Sequence, residues 1–400
     1  MTRGWVWALA VAVAGAAAAG PAGAQATNAS SQSPAVRVAV IQGQSEADVA
    51  VHGRFRIVAP EHTQALQEGS RLPEVSVRAG QEGILVGEDL VAPSEIRIEP
   101  ERDATISLNG QRLRGTLEIV RQQDQTLLII NHVELEDYLR GVLSKEAPHY
   151  WPQEALQALT IAARTYTLFQ RLTNTAGAYD VTGDVMSQVY GGKSAERWKT
   201  NRAVKQTRGL ILVDRGRVFP AFYHSTCGGR TEQASVMGSY DLTPLQGGVV
   251  CSFCRASPFY QWQQRLTFAD LAWAVKKQDR GSVWPVAALE IIEQSPTGRI
   301  ARLRIRGASR SVELSGYELR AMLGFDRIRS TAFSVVPDQA AVVLQGRGWG
   351  HGVGLCQWGT AELARRGFSA EEILSFYYPT ASVVHVEDVT LEPIRLQGRS

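Results

Sequence analysis

The sequence predicts an α+β fold in which helices and antiparallel strands mix behind a β-rich N-terminal region. Short alternating apolar runs fill the N-terminal third, two strongly helix-periodic segments follow near residues 135–146 and 152–171, and brief strand and helix signals then alternate towards the C-terminus. No internal repeat at a solenoid or propeller period competes with this reading.

The chain opens with Arg3 as a short positive segment, Trp5 to Ala19 as an apolar run, and Ala22-Gly23-Ala24 as a small-residue cleavage site. Residues 1–24 are therefore expected to be a secretory signal. The run falls short of the roughly 20 residues that span a bilayer, and it ends in Gly20-Pro21. Residues 25–33 lack periodicity and read as a flexible leader. No later segment is apolar enough to cross a membrane, so the processed product is expected to have no transmembrane span and to be exported, to the periplasm or cell wall. A net charge of +3 from 42 basic and 39 acidic side chains argues against a dedicated nucleic-acid binder.

From Ala35 to about Asn131, runs such as Val36 to Ile41, Phe55 to Val58, Ile96 to Ile98, Thr116 to Val120 and Leu127 to Ile130 predict strands. Asn109-Gly110 predicts a hairpin turn, because both residues accept positive φ. Leu135, Tyr138, Leu139, Val142 and Leu143 then form one face of a helix that Pro148 and Pro152 forbid from continuing. Glu146 falls at its end, where the negative end of the helix dipole favours a protonated carboxyl suited to general acid work. Pro152 opens a second helix whose stripe is Leu156, Leu159, Ala163, Tyr166 and Phe169. Asp180 to Gly192 reads as a loop, Ala195 to Thr207 as a helix, and Leu210 to Tyr223 as a hairpin. Residues 265–280 and 316–324 read as short helices, Leu289 to Ile292 and Ala301 to Ile305 as strands. Ser369-Ala-Glu-Glu372 starts a capped helix that stops before Pro379.

Glycine recurs at every second position in Gly346-Arg-Gly-Trp-Gly-His-Gly-Val-Gly354, so something approaches this backbone closely. Nucleotide-loop spacings are not met. A tight sheet corner is one reading. The other is a sugar site, since His351, Gln357 and Trp358 supply a proton carrier, an amide and a flat apolar face. His224, Cys227, Cys251 and Cys254 form two short-spaced pairs that suit tetrahedral zinc, while a disulfide among the same thiols suits an exported protein. Cys356 lies outside that set and reads as a buried small hydrophobe. Taken alone, Glu146 reads as a solvated carboxylate and Arg164 as a charge facing water.

Five stretches in order change that reading. They are Tyr138-Leu-Arg-Gly-Val-Leu-Ser-Lys-Glu-Ala-Pro148, the segment from Glu154 to Ala-Ala-Arg-Thr-Tyr166, Gln188-Val-Tyr-Gly-Gly192, Tyr223-His-Ser-Thr-Cys-Gly-Gly229, and Gly348 to Gly359. Together they resemble the stage II sporulation protein D family, also described as the LytB amidase-enhancer domain, over roughly residues 110–385. The resemblance implies a peptidoglycan lytic transglycosylase that cleaves glycan strands stripped of stem peptides, with Glu146 as general acid and base. It places Arg164, Tyr166, Gln188, Tyr190, His351 and Gln357 around the sugar as hydrogen-bond donors or as supports for Glu146, with Trp349 or Trp358 stacking on a pyranose. It also implies structural Zn2+ at His224 and the three cysteines Cys227, Cys251 and Cys254. The expected division is then 1–24 signal, 25–33 leader, 34–108 β-rich region, 109–387 catalytic domain and 388–400 C-terminal tail. The alternative function is a noncatalytic glycan-binding activator of an N-acetylmuramoyl-L-alanine amidase.

Overall fold

The computed structural model describes residues 34–394, apart from 61–63, 93, 185, 238–241 and 279. The expected signal and leader lie outside the described residues, as do residues 395–400 of the expected tail. The fold is the predicted mixed α+β, with antiparallel pairing dominant and a β-rich N-terminal part.

Two sheets form that part. One has seven strands and is centred on Ala35–Gln44, Leu127–Glu134 and Thr116–Arg121, paired antiparallel. The other has six and is centred on Glu46–His52. Alternation in the sequence becomes alternation in space: Val36, Val38, Leu117, Ile119, Leu127 and Ile129 all point into one core. The hairpin at Asn109-Gly110 forms as expected, with φ of 48° and 76°, and pairs Leu108 with Gln111. Strand pairing and the core therefore run without a break across residues 108 and 109, and the N-terminal sheets share one core with the helices that follow.

Leu127–Glu134 leads directly into helix α1, Leu135–Glu146, and α2 follows as Gln153–Thr173. The short helices α3, Gly192–Ala195, and α4, Trp198–Gln206, come next. Buried Glu136 on α1 receives both arms of the Arg164 guanidinium from α2, at 2.8 and 2.9 Å. Arg164 also donates to the Leu210 carbonyl at 3.0 Å, so one cation joins two helices to the following strand.

Residues 261–347 form a compact insertion with its own core. It contains α5, Phe268–Lys277, and α6, Gly316–Leu323, with the antiparallel meander Val286–Gln294, Ile300–Gly307 and Ser311–Ser315. Buried Glu232 accepts from Ser295 and Thr297 of the insertion, and buried Arg299 donates to the Cys227 carbonyl at 2.8 Å, which docks the insertion onto the rest of the chain. The chain closes with α7, Gln357–Arg365, and α8, Ala370–Tyr377, whose Ser369 and Glu372 make the expected reciprocal cap.

Replacing Arg164 by Met, or Glu136 by Leu, leaves a buried charge without its counter-ion and is expected to cost about 3–5 kcal/mol. Urea midpoints would show this, and the double variant should recover part of the loss. A double variant no more stable than the worse single one would contradict the pairing.

Candidate functional site

Glu146 is the last residue of α1, because Pro148 and the extended Ala147 stop the helix there. Its carboxylate is half-buried on the wall of a cavity of about 330 Å³. Oε1 accepts from the Val189 backbone N–H at 3.0 Å, and Oε2 accepts from the Gln357 amide at 3.1 Å. Burial pushes the carboxyl above the usual carboxylate range, while these two donors pull the other way. Gln357 reaches it because Cys356 ends a short strand, Leu355–Cys356, and α7 begins at that residue.

Gln188 sits behind this arrangement, fully buried. Its carbonyl accepts from the hydroxyls of Tyr138, at 3.0 Å, and Thr167, at 2.7 Å. Its NH2 donates to the Ala163 carbonyl at 3.3 Å and to the Tyr223 hydroxyl at 3.0 Å. Gln188 thus touches no open space but presents the next N–H, that of Val189, to Glu146. Tyr190 is buried beside Tyr138, donates to Asn131 at 2.9 Å, and borders a second cavity of about 660 Å³ on the far side of Val189. Tyr166 lies on the wall of the Glu146 cavity and accepts from Gln170 at 2.8 Å. Arg164, expected around the sugar or as a support for Glu146, is instead paired with buried Glu136, whose carboxylate offsets the cost of burying the guanidinium.

The alternating glycines serve close packing of the protein on itself. A Cβ at Gly348 would lie 2.4 Å from the Thr226 carbonyl oxygen, and one at Gly354 2.0 Å from that of Phe222, with φ of 77° and 69°. The loop therefore lies backbone to backbone against residues 222–228. His351 braces it: Nδ1 accepts from the Val353 N–H at 3.0 Å, so the proton sits on Nε2 and is donated to the Tyr223 carbonyl at 2.9 Å. Burial pulls its pKa down to about 3, which leaves a neutral brace and not the expected proton carrier. Trp349 is the tryptophan that faces the cavity. Trp358 packs edge-on against buried Trp151, ring centres 5.4 Å apart, and stays off the cavity wall.

The metal set differs from the expected one. The sulfurs of Cys227, Cys251, Cys254 and Cys356 all lie within 4.8 Å of one another, and all four thiols are free. The parallel pairing of Tyr223–His224 with Leu355–Cys356 carries Cys356 to the other cysteines across 102 residues of chain after Cys254, a closure that spacing along the sequence cannot show. His224 falls outside this group. Its Nδ1 faces the Val353 carbonyl at 3.0 Å, and the lone pair of its buried Nε2 has no partner among the described residues.

The structure adds residues that the motifs did not single out as site residues. Tyr223 lines the cavity, and the insertion adds Tyr317, Arg320, Phe325 and exposed Asp326 to the same lining. Tyr317 and Arg320, three apart on α6, signal a shared helix face, but nothing in their spacing tells which surface that face meets.

Because burial raises the Glu146 pKa, the native chain keeps this proton at pH values where the unfolded chain has lost it. The resulting stabilisation is complete below the unfolded value, about 4.3, and is lost as pH rises through the folded one. Glu146→Gln should therefore melt above the parent at pH 7, with the difference closing below about pH 4. Gln357→Leu removes one donor and should move the Glu146 carboxyl titration, followed by 13C NMR, further upward.

Residues 123–213 match the model for the stage II sporulation protein SpoIID, and residues 253–354 match a domain of unknown function, DUF8618. The chain is 28% identical over 364 residues to an uncharacterized protein of Brachyspira hyodysenteriae, covering 89% of this chain and 95% of that one. It is 30% identical over 335 residues to the amidase enhancer of Bacillus subtilis, covering 72% of this chain and 46% of the relative, so it spans just under half of that protein. Stage II sporulation protein D of the same organism is 28% identical over 265 residues, covering 62% of this chain and 74% of the relative. With the ordered motifs gathered around one cavity, these similarities support a relationship to the stage II sporulation protein D and LytB amidase-enhancer family.

Proposed function

We propose that this protein is a peptidoglycan lytic transglycosylase that cleaves the bond between N-acetylmuramic acid and N-acetylglucosamine in stripped glycan strands. The observation that carries the reading is Glu146, a carboxyl with a raised pKa, oriented by Val189 and Gln357 on a cavity wall. A protonated Glu146 gives its proton to the glycosidic oxygen as the C1–O bond breaks. The muramyl C6 hydroxyl then bonds to C1 and returns its proton to Glu146, giving a 1,6-anhydro end and regenerating the acid. No water enters, so the second carboxylate that an inverting hydrolase uses is not required. Tyr223 and Trp349, which line the same cavity, suit a hydroxyl-rich ring.

A zinc ion fits the four sulfurs. Tetrahedral Zn–S bonds of about 2.3 Å place sulfurs about 3.8 Å apart, and Cys227 and Cys254 are 3.4 Å apart within the 4.8 Å group. Bound there, the metal would supply structural closure, since four protein ligands leave no open position. Export to the periplasm or cell wall accords with this substrate, and no helix among the described residues is long and apolar enough to cross a membrane. Similarity to the amidase enhancer supports the second reading, a noncatalytic glycan-binding partner of an N-acetylmuramoyl-L-alanine amidase.

Incubation with amidase-stripped strands should yield 1,6-anhydro-muramyl ends by mass spectrometry, with Glu146→Gln reducing the product at least about a hundredfold. No cleavage by a folded parent that still stimulates an amidase would favour the second reading. Metal analysis should find one zinc per chain in the parent and in His224→Ala, and its loss in Cys356→Ala. Retention in Cys356→Ala with loss in His224→Ala would restore the imidazole to the ligand set.

A further inference from the structure

The insertion brings a cation to the cavity that serves no ion pair among the described residues. Arg320 on α6 is only 4% exposed yet lines the same cavity as Glu146. Nε donates to the Ile328 carbonyl at 2.7 Å and Nη2 to the Arg329 carbonyl at 2.8 Å, and the guanidinium sits 4.9 Å from the centre of the Phe325 ring. These partners are neutral. No carboxylate forms an ion pair with Arg320 among the described residues, and Nη1 has no hydrogen-bond partner there. Asp326, the other acid lining this cavity, is exposed to solvent and makes no such pair. Burial lowers the Arg320 pKa only to about 10, so the group stays charged at neutral pH.

A buried guanidinium without a counter-ion is unfavourable unless an anion joins it. Its two carbonyl bonds hold the planar fork still, which favours recognition of a carboxylate over a point charge. On the reading of this cavity as a glycan site, the ligand has one such group. Each muramyl residue carries a lactyl carboxyl, which is an amide while the stem peptide is attached and a free carboxylate once it has been removed.

We propose that Arg320 binds the free lactyl carboxylate of a muramyl residue in the Glu146 cavity, and so selects stripped strands over peptide-bearing ones. The proposal rests on the glycan reading above, but binding tests it without catalysis. The probes are stripped oligosaccharides and the same oligosaccharides with their lactyl carboxyls converted to methylamides, titrated calorimetrically into full-length Glu146→Gln protein. The carboxylate form should bind on the order of ten- to a hundredfold more tightly, as for a charged hydrogen bond. Adding Arg320→Gln should erase that preference while changing the affinity for the methylamide less than about twofold. Arg320→Lys, which keeps the charge without the fork, should retain part of the preference, and decides the matter if Arg320→Gln fails to fold. Equal binding of the two probes, or a preference unchanged in both Arg320 variants, would overturn the assignment while leaving the glycan reading intact. Failure of the folded protein to bind either probe would overturn both.

Discussion

The site depends on one buried carboxamide. Gln188 uses two accepted and two donated hydrogen bonds to join α1, α2 and the strand at Tyr223, and leaving any of them unmade inside a dry core would cost about 1–3 kcal/mol. That requirement fixes the path of the loop through residues 188–190. The next peptide N–H then meets Glu146, so this carboxylate is oriented by backbone whose own position is over-determined. A hydrogen bond from rigid backbone to a carboxylate needs little ordering entropy when the site forms.

The second oxygen of Glu146 depends on a different construction. Gln357 stands where Leu355–Cys356 passes into α7, and that short strand is held in parallel against Tyr223–His224. The approach is possible only because the glycine loop lacks the Cβ atoms that would strike the backbone of residues 222–228. His351, neutral and bonded at both nitrogens, locks the same contact. The four sulfurs lie immediately behind it, with Cys356 adjacent to Gln357. Loop, imidazole and cysteines therefore act together to place one amide.

The insertion brings chemistry of another kind. It contributes a cation and aromatic surface to the cavity, where the larger part contributes the Glu146 carboxyl and fixed hydrogen bonds. Separation of these functions between two cores means that the acid can be held by the larger core while the insertion shapes what lies against it. Glu232 and Arg299 join the two parts through buried polar contacts, which constrain direction more strongly than apolar packing does.

Local sequence determined the elements of this protein. Alternation in Val36 to Ile41, the stripe from Leu135 to Leu143, the Asn109-Gly110 turn and the Ser369 cap each express a rule that operates within a few residues, and each formed in place. The end of α1 at Glu146 was legible for the same reason. Roles that depend on partners far along the chain were not. Arg164, His351 and Gln357 all stand in the motifs that carry the family resemblance, and only the tertiary structure separates a buried ion pair and a neutral brace from a group bonded to Glu146. Cys356 joined the other cysteines, and Arg320 reached the cavity, through strand pairing and packing of the insertion. Chain topology decides those contacts, because hydrogen bonds and buried charges are satisfied by whatever the fold brings within about 3 Å, at any separation in sequence.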